Sequence, residues 1–343
     1  MARTVLWRHD AAREHDTGAH PERIARIVAA EGALAARDWL GFEVRDSPGV
    51  DDDALLAVHS QRLVNGLQEL SAAGGGAIDG DTVTSEGSFR AARHGAGGAQ
   101  ALVDELLGGE ARVGASLHRP PGHHATAGQS MGFCLFNNVA VGARRALDRW
   151  GAERVMVLDW DVHHGNGTND IFAAEPGVLF VSIHESPLYP GSGPEHDIGH
   201  GAGEGYAVNL PVPDGSGDET FVSLVEHVFA PLARAYRPAL VLISAGFDAH
   251  VNDPLAGCRV TTAGYAAMAA AIRNVTDELG VPVGLVLEGG YDLDALTTSL
   301  VATLEVLSAD ATPAAPGVER HPLAVRASER LAERWPALAT ARA

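Results

Sequence analysis

The stretch Asp159-Trp-Asp-Val-His-His-Gly-Asn-Gly-Thr168 concentrates chemistry that a core strand does not need. It follows the apolar run Val155 to Leu158. Asp161 and His163 stand two positions apart, so on an extended backbone their side chains leave on one face. A hard carboxylate oxygen and a borderline imidazole nitrogen converging on one point suit Zn2+. Two ligands do not complete a site, and the rest of the chain has to supply a third. A polar turn after a core strand would account for Gly165 and Gly167. It leaves Asp159 unexplained, because a carboxylate at the end of an apolar strand is costly unless paired or bound to a cation.

Three other clusters have the same character. Arg119-Pro-Pro-Gly-His-His124 follows the apolar run Val113–Leu117, Ala245-Gly-Phe-Asp248 follows Ala239–Ser244, and Glu288-Gly-Gly-Tyr291 follows Val283–Leu287. In open parallel sheets ligands bind beyond the carboxyl ends of the strands, so four such loops on one rim can converge. Asp248 is then the natural third ligand, and three protein ligands leave a place for water, the catalytic pattern. Taken singly, Asp248 is as readily a helix cap and Tyr291 a core tyrosine. The two glycines before Tyr291 favour close backbone approach to a ligand. His123 and His124 are adjacent and point in different directions, which suggests two jobs.

The elements that must position these loops alternate between strand and helix. Short apolar runs at 4–7, 113–117, 154–160, 178–184, 239–244 and 283–287 read as strands of a parallel sheet covered on both faces. Helices are expected over 21–37, 54–70, 86–107, 136–150, 168–174, 218–236, 262–279 and 292–307, with a short strand at 43–45 and a flexible loop at 74–81. The alternation predicts a single α/β domain with a central parallel sheet and helices on both faces. It is placed at residues 1–310, and residues 311–343 are read as a partly helical tail. No linker and no internal repeat divide the chain.

Composition narrows the function. The chain has 343 residues and a formal net charge of −19, from 25 basic and 44 acidic residues; every basic residue is Arg. An acidic surface disfavours nucleic acid and would draw cationic substrates such as amines. Solubility is the blander reason for it. Two cysteines, Cys134 and Cys258, give no disulfide framework and fit a reducing compartment. No apolar run is long enough to span a bilayer. These features are read as a cytoplasmic protein that binds neither membrane nor nucleic acid; homo-oligomerisation is left open.

As a set, the motifs Arg119–His124, Gly132-Phe-Cys134, Asp159–Thr168, Ser244–Asp248, Asp253-Pro254 and Glu288–Tyr291 resemble the zinc-dependent histone deacetylase family. The resemblance is closest to class II enzymes and bacterial histone-deacetylase-like amidohydrolases, and covers roughly Pro21 to Leu307. It implies the arginase–deacetylase fold. It further implies Zn2+ on Asp161, His163 and Asp248, catalytic roles for His123, His124, Asp159, Asn166 and Tyr291, and His124 as general base. Gly132, Phe133 and Tyr189 would line an acyl-lysine tunnel, with Leu255 at its rim. Arg23 would match an arginine behind the metal. Structural K+ would lie near Ser182, with a second near Phe172 and Val178. The implied reaction is hydrolysis of an acylated amine: an acetyl-lysine peptide, an acetylpolyamine or an acylated small metabolite. An arginase-like centre with two Mn2+ would need a second Asp beside Asp248, where the chain has Phe247 and Ala249. A non-catalytic acyl binder would have no use for Tyr291 and the histidine pair.

Overall fold

Along the middle strands, successive residues alternate between two separate cores. Val155 and Val157, Val178 and Phe180, Leu240 and Leu242 face one core. Their neighbours Met156 and Leu158, Leu179 and Val181, Val241 and Ile243 face the other. That is the two-residue period of strands buried on both faces. The computed structural model describes residues 3–339. Its strands are β1 Thr4–Arg8, β2 Glu43–Asp46, β3 Gly75–Ala77, β4 Val83–Ser85, β5 Val113–Ser116, β6 Val155–Asp159, β7 Val178–Glu185, β8 Ala207–Val212, β9 Leu240–Ala245 and β10 Val283–Leu287. Eight of them form one sheet in the order β2-β1-β5-β10-β9-β6-β7-β8, parallel throughout.

Helices cover both faces. On one side lie α2 Asp52–Leu56, α3 Gln61–Ala72, α4 Ser88–Leu107, α5 Asn138–Trp150 and α6 Asn166–Phe172. On the other lie α1 Ile24–Ala35, α7 Asp218–Leu224, α8 Ala230–Tyr236, α9 Thr262–Leu279, α10 Leu293–Ser308 and α11 Pro322–Leu331. This is the expected single-sheet α/β architecture. The strand order matters for the site. β9 and β10 come late in the chain yet fill the gap between β5 and β6. The four strands whose loops carry the chemistry are therefore neighbours, and all four loops leave at the same end.

Several elements differ from the sequence reading. β8 was not expected, because Asn209 and Pro211 interrupt its apolar run; as the edge strand it tolerates proline. The flexible loop at 74–81 holds one arm of a hairpin, β3 paired with β4. The helix over 54–70 is two helices, because Ser60 Oγ accepts from Leu63 N and restarts the chain as an N-cap. The helix over 218–236 carries a π turn at Val225–Phe229, just before Pro231, which has no N–H to continue the ladder. The carbonyl left free four residues earlier, on His227, receives Ser328 Oγ at 3.5 Å.

That last bond comes from the tail. Ala324, Ala327, Leu331, Trp335 and Leu338 belong to the same core as α7–α10. Trp335 packs edge-on against Tyr206 and Tyr236, and its Nε1 donates to Gly205 O at 3.1 Å. Arg330 Nη2 donates to Asn209 O on edge strand β8 at 2.9 Å. Residues 1–2 and 340–343 of the expected domain and tail lie outside the described residues. No described helix is long and apolar enough to cross a membrane. Trp335→Ala should destabilise the whole domain by about 3–5 kcal/mol, as aromatic-to-alanine truncation in a core does. Urea unfolding checks this, and an unchanged midpoint would make the tail an appendage.

Candidate metal centre

Asp159 closes β6, opposite Ser182 on β7 and Ser244 on β9. Its Oδ1 accepts from Asp161 N at 3.1 Å, which turns the chain just past the strand. Asp161 Oδ1 accepts from His163 N at 2.9 Å, and Asp161 Oδ2 from Gly289 N, in the loop after β10, at 2.9 Å. Asp248, after β9, accepts from Val162 N at 2.9 Å through Oδ1. Three loops are thus sewn together by the carboxylates themselves.

The result is a convergence of Asp161, His163 and Asp248, whose ligand-type atoms lie within 4.8 Å of one another, all buried. His163 Nδ1 lies 3.2 Å from Asp161 Oδ1 and 3.3 Å from Asp248 Oδ2. Burial disfavours charge on His163, but the two carboxylates win and push it up to about 10. Burial and the Asp161 charge raise Asp248. The pocket therefore draws positive charge. One proton on His163 cannot satisfy both acids, and Asp248 Oδ2 is buried with no hydrogen-bond partner among the described residues. An orphaned carboxylate oxygen beside an imidazole nitrogen and a second carboxylate fits a borderline divalent cation. Gly289 keeps the space open, since a Cβ there would fall 2.1 Å from Asp248 Oδ2 and 2.6 Å from Asp161 Oδ2.

The two histidines after β5 have opposite surroundings. His123 Nδ1 lies 3.0 Å from Asp159 Oδ2 and its Nε2 3.7 Å from Asp161 Oδ1. Burial opposes its charge, yet Asp161 and Asp159 hold it well above the usual histidine range. His124 Nδ1 lies 2.8 Å from Asn166 Oδ1, whose amide nitrogen donates to His124 O at 3.4 Å. With a neutral acceptor on Nδ1, burial and the nearby histidines depress His124 well below its ordinary value. Its Nδ1 then carries the proton and Nε2 a lone pair.

Tyr291 is almost buried, and its ring lies 5.6 Å from that of Phe133 and 5.0 Å from the Arg26 guanidinium. Burial holds its hydroxyl protonated. The arginine behind the centre is Arg26, which corrects the expectation for Arg23. Arg23 is exposed and only precedes α1, whereas the fully buried Arg26 donates to Gly290 O and Glu288 O at 2.6 Å each. One helical turn decides between them: Arg26 is four residues from Glu22 and bonds it at 3.0 Å. Two acids from the motifs act on the backbone. Glu288 accepts from Gly122 N at 2.6 Å and His123 N at 3.1 Å. Asp253 accepts from Tyr291 N at 2.6 Å and, on its other oxygen, from Leu255 N at 3.0 Å.

The aromatic candidates border the same space. The Tyr189 ring stands 5.1 Å from His124 and 6.3 Å from His163, and is 36% exposed. Gly132 and Phe133 both have positive φ, +56° and +68°. A Cβ at Gly132 would meet the His124 ring at 2.4 Å. Phe133 has no such excuse, and its strained backbone, worth about 1–3 kcal/mol, is tied by its N–H to Thr82 Oγ1 at 3.2 Å. Ser182 Oγ lies 2.9 Å from His184 Nδ1. Phe172 ends α6, with its carbonyl accepting from Glu175 N at 2.9 Å, and Val178 opens β7; both are buried away from the metal-ligand trio.

Residues 20–307 match the family model described as the histone deacetylase domain. Histone deacetylase 10, chloroplastic, of Oryza sativa is 38% identical over 91% of this chain and 74% of its own. The histone deacetylase-like amidohydrolase of Pseudomonas aeruginosa is 37% identical over 87% of this chain and 78% of its own. The crystal structure of the HDA15 HD domain superposes with a TM-score of 0.91 at 36% identity, over 98% of this chain and 96% of that one.

Gly289→Ala tests the geometry directly. The added methyl displaces both carboxylates, so the variant should fold and carry much less metal than the parent. Elemental analysis of the purified protein reads this, and full metal content would refute it.

Proposed function

The chain belongs to the histone deacetylase family and is a deacetylase, a hydrolase of amide bonds; we propose that it removes an acetyl group from the side chain of lysine, using zinc on Asp161, His163 and Asp248. The observation that carries this is the buried convergence of those three side chains around the unpaired Asp248 Oδ2. Zinc held there would supply Lewis acidity, making water a nucleophile near neutral pH and polarising an amide carbonyl.

The rest of the reaction falls to side chains. His124, kept neutral with a free Nε2, takes a proton from the attacking water. His123, with its Nδ1 on buried Asp159, keeps a proton for the leaving amine. Two like groups pushed apart in pKa mark the base and the acid. The Tyr291 hydroxyl stays protonated and donates to the tetrahedral oxyanion. Phe133 and Tyr189 give an aliphatic side chain two aromatic walls. Structural K+ near Ser182, and near Phe172 and Val178, belongs to the same proposal and rests on the family resemblance; a cytoplasmic location rests on the cysteine usage, and some plant relatives are named chloroplastic.

A second reading, an acetylpolyamine substrate, has one observation in its favour. The β3–β4 turn carries Asp79 and Asp81 to the tunnel mouth, where Asp81 O lies 3.0 Å from His20 Nε2 and His20 packs edge-on against Phe133. Both acids act on the Tyr189 hydroxyl. Against it, the rim residue after Asp253-Pro254 is the neutral Leu255.

Zinc stoichiometry and turnover of an acetyl-lysine peptide test the primary reading together. Tyr291→Phe should keep its zinc and lose about 10²–10³ in kcat. Asp253→Asn should also lower kcat, by misplacing Tyr291. Added to Tyr291→Phe it should cost almost nothing more, because both act through one hydroxyl; additive losses would detach Asp253 from that role. On selectivity, kcat/KM for acetylspermidine and an acetyl-lysine peptide should be comparable at physiological ionic strength. A hundredfold polyamine preference, about 2.7 kcal/mol, would favour the second reading and implicate Asp79 and Asp81.

A further inference from the structure

A second set of metal-binding atoms lies beside the first. His123, Cys134 and Glu288 each bring one ligand-type atom within 4.8 Å of the others, and all three are buried. We propose that this trio is a separate, weaker site for a borderline or soft divalent cation, Zn2+ or Cd2+, and that filling it turns the enzyme off. The donor set is one sulfur, one imidazole nitrogen and one carboxylate oxygen, a combination that Zn2+ and softer ions accept and Mg2+ or Ca2+ do not.

The surroundings favour a cation. Burial, and after it the negative neighbours Glu288, Asp161 and Glu22, keep the Cys134 thiol protonated. The same charges attract a divalent ion. Glu288 already accepts from Gly122 N and His123 N on Oε2 and from Ser244 Oγ at 3.0 Å on Oε1. Oε1, with a single bond, retains room for a further partner. Binding replaces the S–H bond by an S–metal bond, and that proton, with any carried by the ring nitrogen that takes the metal, goes to solvent. That exchange costs affinity, so the site fills only once metal exceeds the first equivalent. Inhibition follows because a cation on a His123 ring nitrogen ties up the side chain that the catalytic reading sets beside the leaving amine. The inhibitory clause rests on the catalytic reading of His123; the binding clause does not. The other cysteine, Cys258, lies elsewhere, with its backbone N–H on Glu185 Oε2 at 2.9 Å.

The test uses the zinc-loaded enzyme, titrated with Cd2+ and separately with excess Zn2+. Cadmium should bring up a thiolate-to-metal charge-transfer absorption; exchange into the Asp/His/Asp site alone cannot, because that site has no sulfur. Cys134→Ala, with Cys134→Ser as the closer replacement, should abolish the absorption. It should also raise the Zn2+ concentration for half-inhibition at least tenfold, about 1.4 kcal/mol, with basal turnover retained. Cys258→Ala should change neither readout. No absorption at excess cadmium, or an absorption that survives in both Cys134 variants, would overturn the site. Unaltered zinc inhibition in those variants would overturn its regulatory meaning. Asp248→Ala separates the two metal proposals: it should lose the first equivalent of zinc and keep the cadmium–thiolate signal.

Discussion

One buried carboxylate holds the working end of the molecule together. Glu22 takes Arg119 Nε at 2.5 Å and Nη2 at 2.6 Å on its two oxygens, and Arg26 Nη1 at 3.0 Å. Burial works against its charge, but Arg119 and His15 hold it well below the ordinary glutamate range. Arg119 opens the loop that presents His123 and His124, and also donates to Ala12 O and His15 O. Arg26 grips the carbonyls of Glu288 and Gly290, on either side of the glycine that faces the two aspartates. Two cations on one anion leave a surplus positive charge beneath a pocket rich in acid. Removing Glu22 would strand both, a loss of the order of 3–5 kcal/mol for a broken buried pair.

From this clamp the division of labour follows. Asp159, Asp161, Asp248, Asp253 and Glu288 are all buried; Asp159 accepts a backbone N–H bond within its own loop, and each of the other four accepts one from another loop. The acids that could serve chemistry are also the pins that hold the loops. A substitution at any of them therefore changes position and charge together, and only paired substitutions separate the two effects.

Much of this was legible in the chain, for a physical reason. Charged and hydrogen-bonding residues at the ends of apolar strands are expensive, so Asp159, Asp161, His163, Asp248 and the histidine pair stood out against their surroundings. The regular strand–helix alternation likewise carried the sheet. What escaped depended on partners that composition does not reveal. The motif order points to Arg23, and the signal for Arg26 is its i,i+4 spacing from Glu22. The motif containing Asp253 was visible, but not that its oxygens would serve Tyr291 N and Leu255 N. β8 was hidden by Asn209, which bonds Asn169 and Asp197 instead of packing as an apolar residue, and by Pro211. The β3–β4 hairpin was hidden in a glycine-rich stretch with little apolar pattern.

The strand order has a consequence for how the protein is made. Synthesis proceeds from the N-terminus, and β5 and β6 emerge with the histidine pair, Asp161 and His163 long before β9 and β10. In the finished sheet those two early strands never touch; β10 and β9 stand between them. A nascent chain halted after α8 therefore has two half-sheets with an open slot, two of three metal-binding side chains and no Tyr291. Whatever hydrophobic surface flanks that slot waits for the last third of translation to be covered. A ribosome-bound chain is thus chemically silent until its final strands insert, and it is then that it most needs protection from its neighbours.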